Sequence, residues 1–207
     1  MANLVLHTLP PSPFNAKVRL ALGVKGLAYD TVACSGFDGR EAIVEASGQP
    51  LTPVLQHEGR SIHDSFGIVR YLDSNFEGPS LFRESREGMR AIESWENLTR
   101  FGLGPVLGQV INGLMDGKTP ADLEPFNQMF NEFMPRVEAT LEQRPFLVDN
   151  EISAADLGIA PFAHYGMVDT STLDPTSLPG MIAGVLRLSP RFTKTREWTE
   201  RVMKNDK

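Results

Sequence analysis

The residues best suited to chemistry lie together near the start of the chain, at Ser12, Pro13 and Phe14. They stand between a short apolar run over residues 4–8 and a helical pattern with one apolar face that ends at Gly26. This order predicts that Ser12 is the N-cap of the helix and that Pro13 is its first helical residue. A hydroxyl in that position can steady an anion, or it can serve only to cap the helix.

A second pair of polar residues, Asp64 and Ser65, opens the amphipathic helical pattern over residues 64–75. The first N–H groups of a helix have no partner inside the helix, so a helix N-terminus attracts anions. Ser65 and its backbone N–H therefore suit a carboxylate, and Asp64 suits an ammonium group. The pair is equally ordinary as a helix start, and the two roles are compatible.

The sequence offers no support for a metal site or a disulfide. The four histidines are His7, His57, His63 and His164. They share no ligand spacing with one another or with Cys34, so we predict no metal centre. A single cysteine excludes an internal disulfide, which is common for proteins of reducing compartments.

The elements that must position these residues follow from hydrophobic periodicity. Strand patterns cover Leu4–Thr8 and residues 29–33, 53–56 and 61–63, with a turn over residues 57–60, and helical patterns cover residues 14–25, 39–46 and 64–75. The order β-α-β-α-β-β-α permits a parallel strand pair through a crossover, followed by an antiparallel hairpin. We therefore predict a thioredoxin-like α/β domain over residues 1–77.

A linker is predicted over residues 76–84, where Gly78 and Pro79 interrupt regular structure. Beyond it only helical patterns occur, over residues 86–103, 106–114, 120–143, 153–165, 178–188 and 190–204. Pro105 is expected to disturb the first of these helices, and Pro135 is expected to kink or break the third. The Ser-x-x-Asp spacing of Ser153 and Asp156 predicts a structural capping box. Residues 85–207 should therefore form an all-helical domain.

Composition narrows the class of protein. A length of 207 residues is enough for two small domains. The net charge is -6 and the sequence has no basic patch, which argues against nucleic acid as a partner. The chain has neither a basic leader followed by an apolar run nor an apolar stretch of the roughly 20 residues that a membrane span needs. We expect a cytoplasmic protein without a membrane partner.

Four motifs, in register over nearly the whole chain, resemble the cytosolic glutathione transferases. They are Ser12-Pro13-Phe14 with Lys17-Val18-Arg19-Leu20, Leu51-Thr52-Pro53-Val54-Leu55, Asp64-Ser65 with Ile68 and Tyr71-Leu72, and Phe146-Leu147-Val148 with Ser153-Ala154-Ala155-Asp156. The stretch before Pro53, Ser47-Gly48-Gln49-Pro50-Leu51, departs from the family's usual Asn-Pro-x-Gly sequence. Ser12 stands where some relatives have cysteine, which argues against thiol–disulfide exchange as the main activity.

The resemblance implies a serine-type glutathione transferase, with glutathione as co-substrate and no metal or redox cofactor. Ser12 would then be the catalytic donor to the glutathione sulfur, with Asn15 as the alternative donor. The implied glutathione-binding residues are Phe14, Asn15, Gln49, Thr52, Pro53, Asp64 and Ser65. Pro53 would follow a cis peptide bond and would present the Thr52 backbone to the cysteinyl unit of the tripeptide.

The resemblance also implies a small apolar electrophile bound between the domains, lined by Trp95, Arg100 and Phe101. For the two aromatic residues, packing in the core is an equally good interpretation of the sequence. The family is usually homodimeric, so a homodimer is expected. The alternative function is a glutathione-transferase-like protein without catalysis, acting as a ligand carrier or an interaction protein.

Overall fold

The computed structural model describes residues 3–9, 11–34 and 40–207, and it separates into two compact units. Unit 1 comprises the described residues up to Arg83 together with Lys204–Lys207, and unit 2 comprises Glu84–Met203. The sequence placed residues 204–207 with the helical domain. The structure instead returns them to unit 1, because contacts between segments distant in the chain hold them there.

Unit 1 has the thioredoxin-like order that the sequence predicts. Its elements are β1 (Leu4–Thr8), α1 (Pro13–Val24), β2 (Asp30–Ala33), α2 (Glu41–Ser47), β3 (Val54–His57), β4 (Arg60–His63) and α3 (Ser65–Asn75). The sheet order is β2-β1-β3-β4, with β1 parallel to β2 and the other neighbours antiparallel. The start expected for α2 at Gly39 lies outside the described residues.

The hairpin between β3 and β4 is tighter than the sequence predicts. Its loop consists of Glu58 and Gly59 alone, both with positive φ, at 48° and 74°. Two successive residues of positive φ make the turn whose twist matches that of antiparallel strands. His57 and Arg60, expected in the turn, are therefore the last pair of the ladder.

The core of unit 1 is formed by apolar faces that the periodicity predicts. Helices α1 and α3 pack against each other, and α2 and α3 both contact β3 and β4. Fully buried residues come from each of these layers, including Leu6, Leu20, Leu55, Ile68 and Leu72. This packing holds α1 and α3 in one compact unit.

Unit 2 is helical throughout its described elements. These are α4 (Arg86–Leu98), a π-helical turn (Thr99–Leu103), α5 (Gly104–Met115), α6 (Glu124–Leu141), α7 (Ala154–Tyr165), a 3-10 turn (Thr170–Thr172), α8 (Leu178–Val185) and α9 (Thr193–Met203). Helix α7 is buried along residues 154–163 and packs against α4 and α9. A helix that is apolar all round belongs at the centre of a bundle.

Pro105 disturbs its helix, as predicted, and the π-helical turn is the form of the disturbance. A proline has no N–H and its ring crowds the carbonyl four residues earlier, here that of Phe101. The turn takes up one extra residue: the Gly104 N–H donates to the Thr99 carbonyl, five residues back. Helix α6 continues through Pro135 without interruption, so the break considered there does not occur.

The predicted capping box has a purely structural role. Asp156 is fully buried and accepts hydrogen bonds from the Ser153 N–H at 2.9 Å, the Ser153 hydroxyl at 2.8 Å, the Leu147 N–H at 2.9 Å and the Trp198 indole N–H at 3.0 Å. Burial raises the pKa of Asp156, against the opposing effect of these four donors. The carboxyl joins the start of α7, the loop before it and α9.

Candidate functional site

Ser12 is the N-cap residue of α1, but its hydroxyl does not cap the helix. The backbone has the extended conformation of an N-cap, with φ −78° and ψ 128°, and Pro13 follows in the first helical turn. The Ser12 carbonyl accepts from the N–H groups of Asn15 and Ala16 at 3.0 Å, while the side chain makes no cap hydrogen bond. The capping role considered for this hydroxyl is therefore not realised. The half-buried oxygen remains able to donate to a ligand.

Asn15 bridges the ends of two strands. The fully buried amide accepts from the Leu9 N–H through Oδ1 at 3.1 Å and donates through Nδ2 to the Thr52 hydroxyl at 3.2 Å. These bonds give Asn15 a structural use that sequence reasoning did not anticipate, since it predicted a second donor to sulfur. The role of Asn15 as alternative donor to the sulfur stays a prediction beside this structural role.

The position of this bridge follows from the sheet register. His7 pairs with Val54, so continuing the ladder sets Leu9 opposite Thr52 with Pro53 between. Proline cannot donate a ladder hydrogen bond, and the Asn15 amide spans the point where backbone pairing stops. The Thr52–Pro53 bond is cis, as predicted.

In the described part of the chain, the main-chain hydrogen-bonding groups of Thr52 are unpaired, as at the edge of a sheet. Within residues 3–9, 11–34 and 40–207, its main-chain N–H and C=O have no hydrogen-bond partner. The residue is half-buried and precedes β3 directly. An extended peptide binds to such groups by main-chain hydrogen bonds, as an added strand does at a sheet edge.

Gln49, predicted to bind ligand, uses its amide inside its own loop. Oε1 accepts from the Leu51 N–H at 2.7 Å, and Nε2 donates to the Leu51 carbonyl at 2.8 Å and to the Ser47 hydroxyl at 3.0 Å. Both amide hydrogens are thereby occupied. These bonds shape the loop that leads to Thr52, and the glutathione-binding role of Gln49 stays a prediction.

Asp64 and Ser65 begin α3 as predicted. Asp64 is the N-cap residue, accepts weakly from the Phe66 N–H at 3.4 Å, and has φ +66°, a conformation that side chains other than glycine rarely adopt. Strained backbone of this kind persists where the surroundings enforce it, often at ligand sites. Ser65 is buried at the first helical position, beside the N–H groups that can receive an anion.

The three residues predicted to line an electrophile pocket differ in exposure. Trp95 is only 4% exposed, donates from its indole N–H to the Leu147 carbonyl at 3.2 Å and stacks under Arg136 at 4.1 Å. The core interpretation therefore holds for Trp95. Phe101, in the π-helical turn, is 73% exposed, and Arg100 beside it is also exposed.

Among residues 3–9, 11–34 and 40–207, no group of three or more His, Cys, Asp or Glu side chains is placed to hold a metal ion. The His7 Nε2 lies 3.0 Å from the Gln56 amide oxygen, and the His57 Nδ1 lies 2.7 Å from the Tyr71 hydroxyl. Burial raises the pKa of the Cys34 thiol, outweighing the opposite effect of Arg40. A thiol that ionises reluctantly is a poor nucleophile.

Sequence reasoning missed Lys17, which is almost fully buried on α1. A signal was present, because Lys17 precedes the buried Leu20 and Ala21 by three and four residues and so lies on their helix face. Its ammonium lies 3.1 Å from the centre of the Phe66 ring, at the first turn of α3.

Comparison with known proteins agrees with the thioredoxin-like fold of unit 1. The family model "Glutathione S-transferase, N-terminal domain" matches residues 6–80. A probable glutathione S-transferase of Nicotiana tabacum is 26% identical over 159 residues, which cover 76% of this chain and 68% of the relative.

Two solved structures share the fold over nearly the whole chain. FzlA from C. crescentus superposes with a TM-score of 0.76 at 17% identity, covering 96% of this chain and 87% of its own. A theta class glutathione S-transferase from Xanthomonas axonopodis pv. citri, solved with glutathione bound, has a TM-score of 0.75 at 19% identity, covering 97% and 92%. These matches support the glutathione S-transferase family for this chain, with the family model covering its N-terminal domain. None of the helices in the described ranges has the length and apolar character that a membrane crossing requires.

Proposed function

We propose that this protein is a glutathione transferase in which Ser12 holds the sulfur of glutathione as a thiolate. The observation that carries the proposal is the Ser12 hydroxyl, which stands at the N-terminus of α1 without being used to cap it. An O–H group in that place can donate to a bound anion, and the helix N-terminus adds a positive potential. Both features favour a sulfur that has lost its proton.

The chemistry depends on this ionisation. A free thiol has a pKa of about 8.5, so only a few per cent is ionised near neutral pH. Donation from Ser12 and the potential of the first helical N–H groups, including that of Phe14, stabilise the charged form and lower the pKa. The thiolate then attacks an electrophilic carbon; a carbon–sulfur bond forms while the leaving group departs with its electron pair. The same thiolate can attack a peroxide oxygen: a sulfur–oxygen bond forms as the O–O bond breaks, the sulfur is oxidised to a sulfenic acid, and the peroxide is reduced to an alcohol or water.

The rest of the tripeptide has matching groups on unit 1. The free N–H and C=O of Thr52 suit the cysteinyl backbone, in the manner of strand pairing. Ser65 and the first turn of α3 suit the γ-glutamyl carboxylate. Asp64 suits the α-ammonium group, and its enforced positive φ is consistent with a backbone shaped for a ligand.

For the electrophile, we propose Phe101 and Arg100 as contacts. Phe101 is exposed and lies in a π-helical turn, and such turns are frequent at functional sites. A small apolar compound is the class of substrate that Phe101 favours. A homodimer and a cytoplasmic location are part of the same proposal, and light scattering of the purified protein tests the first.

The decisive experiment follows thiolate formation in the complex by ultraviolet absorption as pH is varied. Wild-type protein should hold glutathione with a thiol pKa below that of free glutathione, and Ser12→Ala should move it back towards the free value. Turnover of a generic aromatic halide should fall by about 100-fold in Ser12→Ala, as expected for loss of a donor to developing charge. Unchanged ionisation and turnover would contradict the role of Ser12.

The matched control is Ser85→Ala. The Ser85 hydroxyl caps α4 by accepting from the Gly88 N–H at 3.1 Å, whereas the Ser12 hydroxyl caps nothing. Ser85→Ala should lower the free energy of unfolding by about 1 kcal/mol and leave activity intact. Ser12→Ala should leave the free energy of unfolding nearly unchanged and lower the activity. Retention of glutathione with no turnover over a panel of electrophiles and peroxides would favour a ligand carrier.

A further inference from the structure

Lys17 is one of the largest fully buried side chains in the described structure, with 1% of its surface exposed. Lysine is rarely buried, because removing an ammonium group from water is costly. Part of that cost is offset by the Phe66 ring, whose centre lies 3.1 Å from the Lys17 Nζ. The burial of Lys17 thus places an ammonium group directly beside a ring in the first turn of α3.

The contact joins the two helices that carry the proposed glutathione groups. Lys17 lies five residues after Ser12 in the sequence, about 7.5 Å along the axis of α1. Phe66 directly follows Ser65 in the first turn of α3, and α1 packs against α3. A buried charge is screened much less than a surface charge. The ammonium group therefore acts on the first turn of α3 both by contact and by its field.

We propose that Lys17 is a positioning residue for glutathione. Held over the Phe66 ring, its ammonium group orients the first turn of α3 and makes that turn more attractive to the γ-glutamyl carboxylate at Ser65. The inference rests on the proposed function and gives Lys17 no contact with the sulfur. It predicts a defect in glutathione binding rather than in the chemical step.

Lys25 provides a matched control on the same helix. It is also buried, at the C-terminal end of α1, but its Nζ donates to the Asp73 carboxylate at 3.1 Å and to the Pro79 carbonyl at 3.3 Å. A carboxylate compensates its charge directly, and its position is away from the helix N-terminus. Removing its charge should affect stability without affecting glutathione.

The experiment measures KM for glutathione, kcat at saturating glutathione, and the dissociation constant by calorimetry, with wild type as reference. Lys17→Met keeps the length of the side chain and removes its charge, and it should raise KM and the dissociation constant about tenfold, the equivalent of roughly 1.4 kcal/mol, while kcat changes less than about twofold. Lys17→Arg should recover most of the affinity. Lys25→Met should lower the melting temperature and leave KM unchanged.

Wild-type affinity in Lys17→Met, or a loss in Lys25→Met as large as in Lys17→Met, would overturn the inference. If Lys17→Met does not fold, Phe66→Leu decides the question, because it keeps the ammonium group and removes the ring. A raised KM with normal kcat supports the inference, and wild-type values overturn it. Failure of the wild-type protein to bind glutathione would instead overturn the proposed function.

Discussion

The Asn15 side chain donates to the Thr52 hydroxyl across 37 residues of sequence, at 3.2 Å. With its other end Asn15 accepts from the Leu9 N–H, so that one fully buried amide ties β1 to the approach to β3. The bond lies where Pro53 ends the backbone ladder. The bond fixes Thr52 through its side chain. The main-chain N–H and C=O of Thr52 therefore stay available for hydrogen bonds to a peptide ligand.

Replacing Asn15 should therefore weaken both the fold and the binding of glutathione. Asn15→Ala leaves the Leu9 N–H and the Thr52 hydroxyl without their partner, and we expect the free energy of unfolding to fall by about 1–3 kcal/mol. KM for glutathione should rise. Thr52→Val, which removes only the hydroxyl, should cost less. If the double variant shows additive losses, the two residues are not coupled as described.

The electrophile contacts can be separated from the core by a pair of variants. Trp95→Phe removes the indole N–H that serves the Leu147 carbonyl and leaves that buried acceptor without its donor. Chemical denaturation should show a loss of about 1–3 kcal/mol, with selectivity among electrophiles unchanged. Phe101→Ala, at an exposed position, should alter stability by less than about 0.5 kcal/mol and lower kcat/KM for apolar electrophiles. If Trp95→Phe instead changed the selectivity among electrophiles and Phe101→Ala changed only stability, Trp95 and not Phe101 would contact the electrophile.

The segment after α9 packs closely on α1, because Gly23 has no side chain to keep it away. A Cβ added there would lie 1.8 Å from the Asn205 carbonyl oxygen, and Arg19 makes a two-pronged contact with the Asp206 carboxylate at 2.7 and 2.8 Å. Gly23→Ala should displace residues 204–207 and speed hydrogen exchange at their backbone amides. Gly108→Ala serves as the control, since a Cβ there meets nothing within 4 Å. Equal protection of both variants would contradict this account.

Glu138 should make the stability of unit 2 sensitive to acid. Burial acts to raise its pKa, but hydrogen bonds from the Thr195 hydroxyl and from the Lys194 and Thr195 N–H groups outweigh burial and lower it. A carboxyl with a lowered pKa stabilises the folded state above its unfolded pKa, and this contribution is lost as pH falls through the folded value. These hydrogen bonds cap the N-terminus of α9, so Glu138 should stabilise that helix.

Glu138→Gln tests that expectation. The variant should be less stable than wild type near neutral pH, by about 1 kcal/mol as for other lost helix caps. The difference should shrink as pH falls below about 4.3, where unfolded glutamate takes up its proton. Denaturation midpoints followed by circular dichroism over that range are the measurement. A difference independent of pH would show that the charge of Glu138 is not involved.

Much of the fold was predictable because its signals are local. The order of strands and helices in unit 1, the N-cap positions of Ser12 and Ser153, and the disturbance at Pro105 all depend on residues within one or two turns of each other. The hairpin at Glu58 and Gly59 was placed correctly but made too long. Positive φ at a glutamate depends on the pairing of the strands around it, which residue type alone does not reveal.

The features of the candidate site likewise fall into those with local sequence signals and those that depend on contacts between distant residues. The sequence by itself determined that hydroxyl groups stand at the starts of α1 and α3 and that a proline follows Thr52, since caps and prolines act on their own neighbours. Only the tertiary structure decided which polar groups are occupied: Asn15 by Leu9 and Thr52, Gln49 by Leu51, and the Ser12 hydroxyl by no cap bond. The physical reason is that a hydrogen bond requires two atoms within about 3 Å, and folding brings together atoms that lie far apart in the chain.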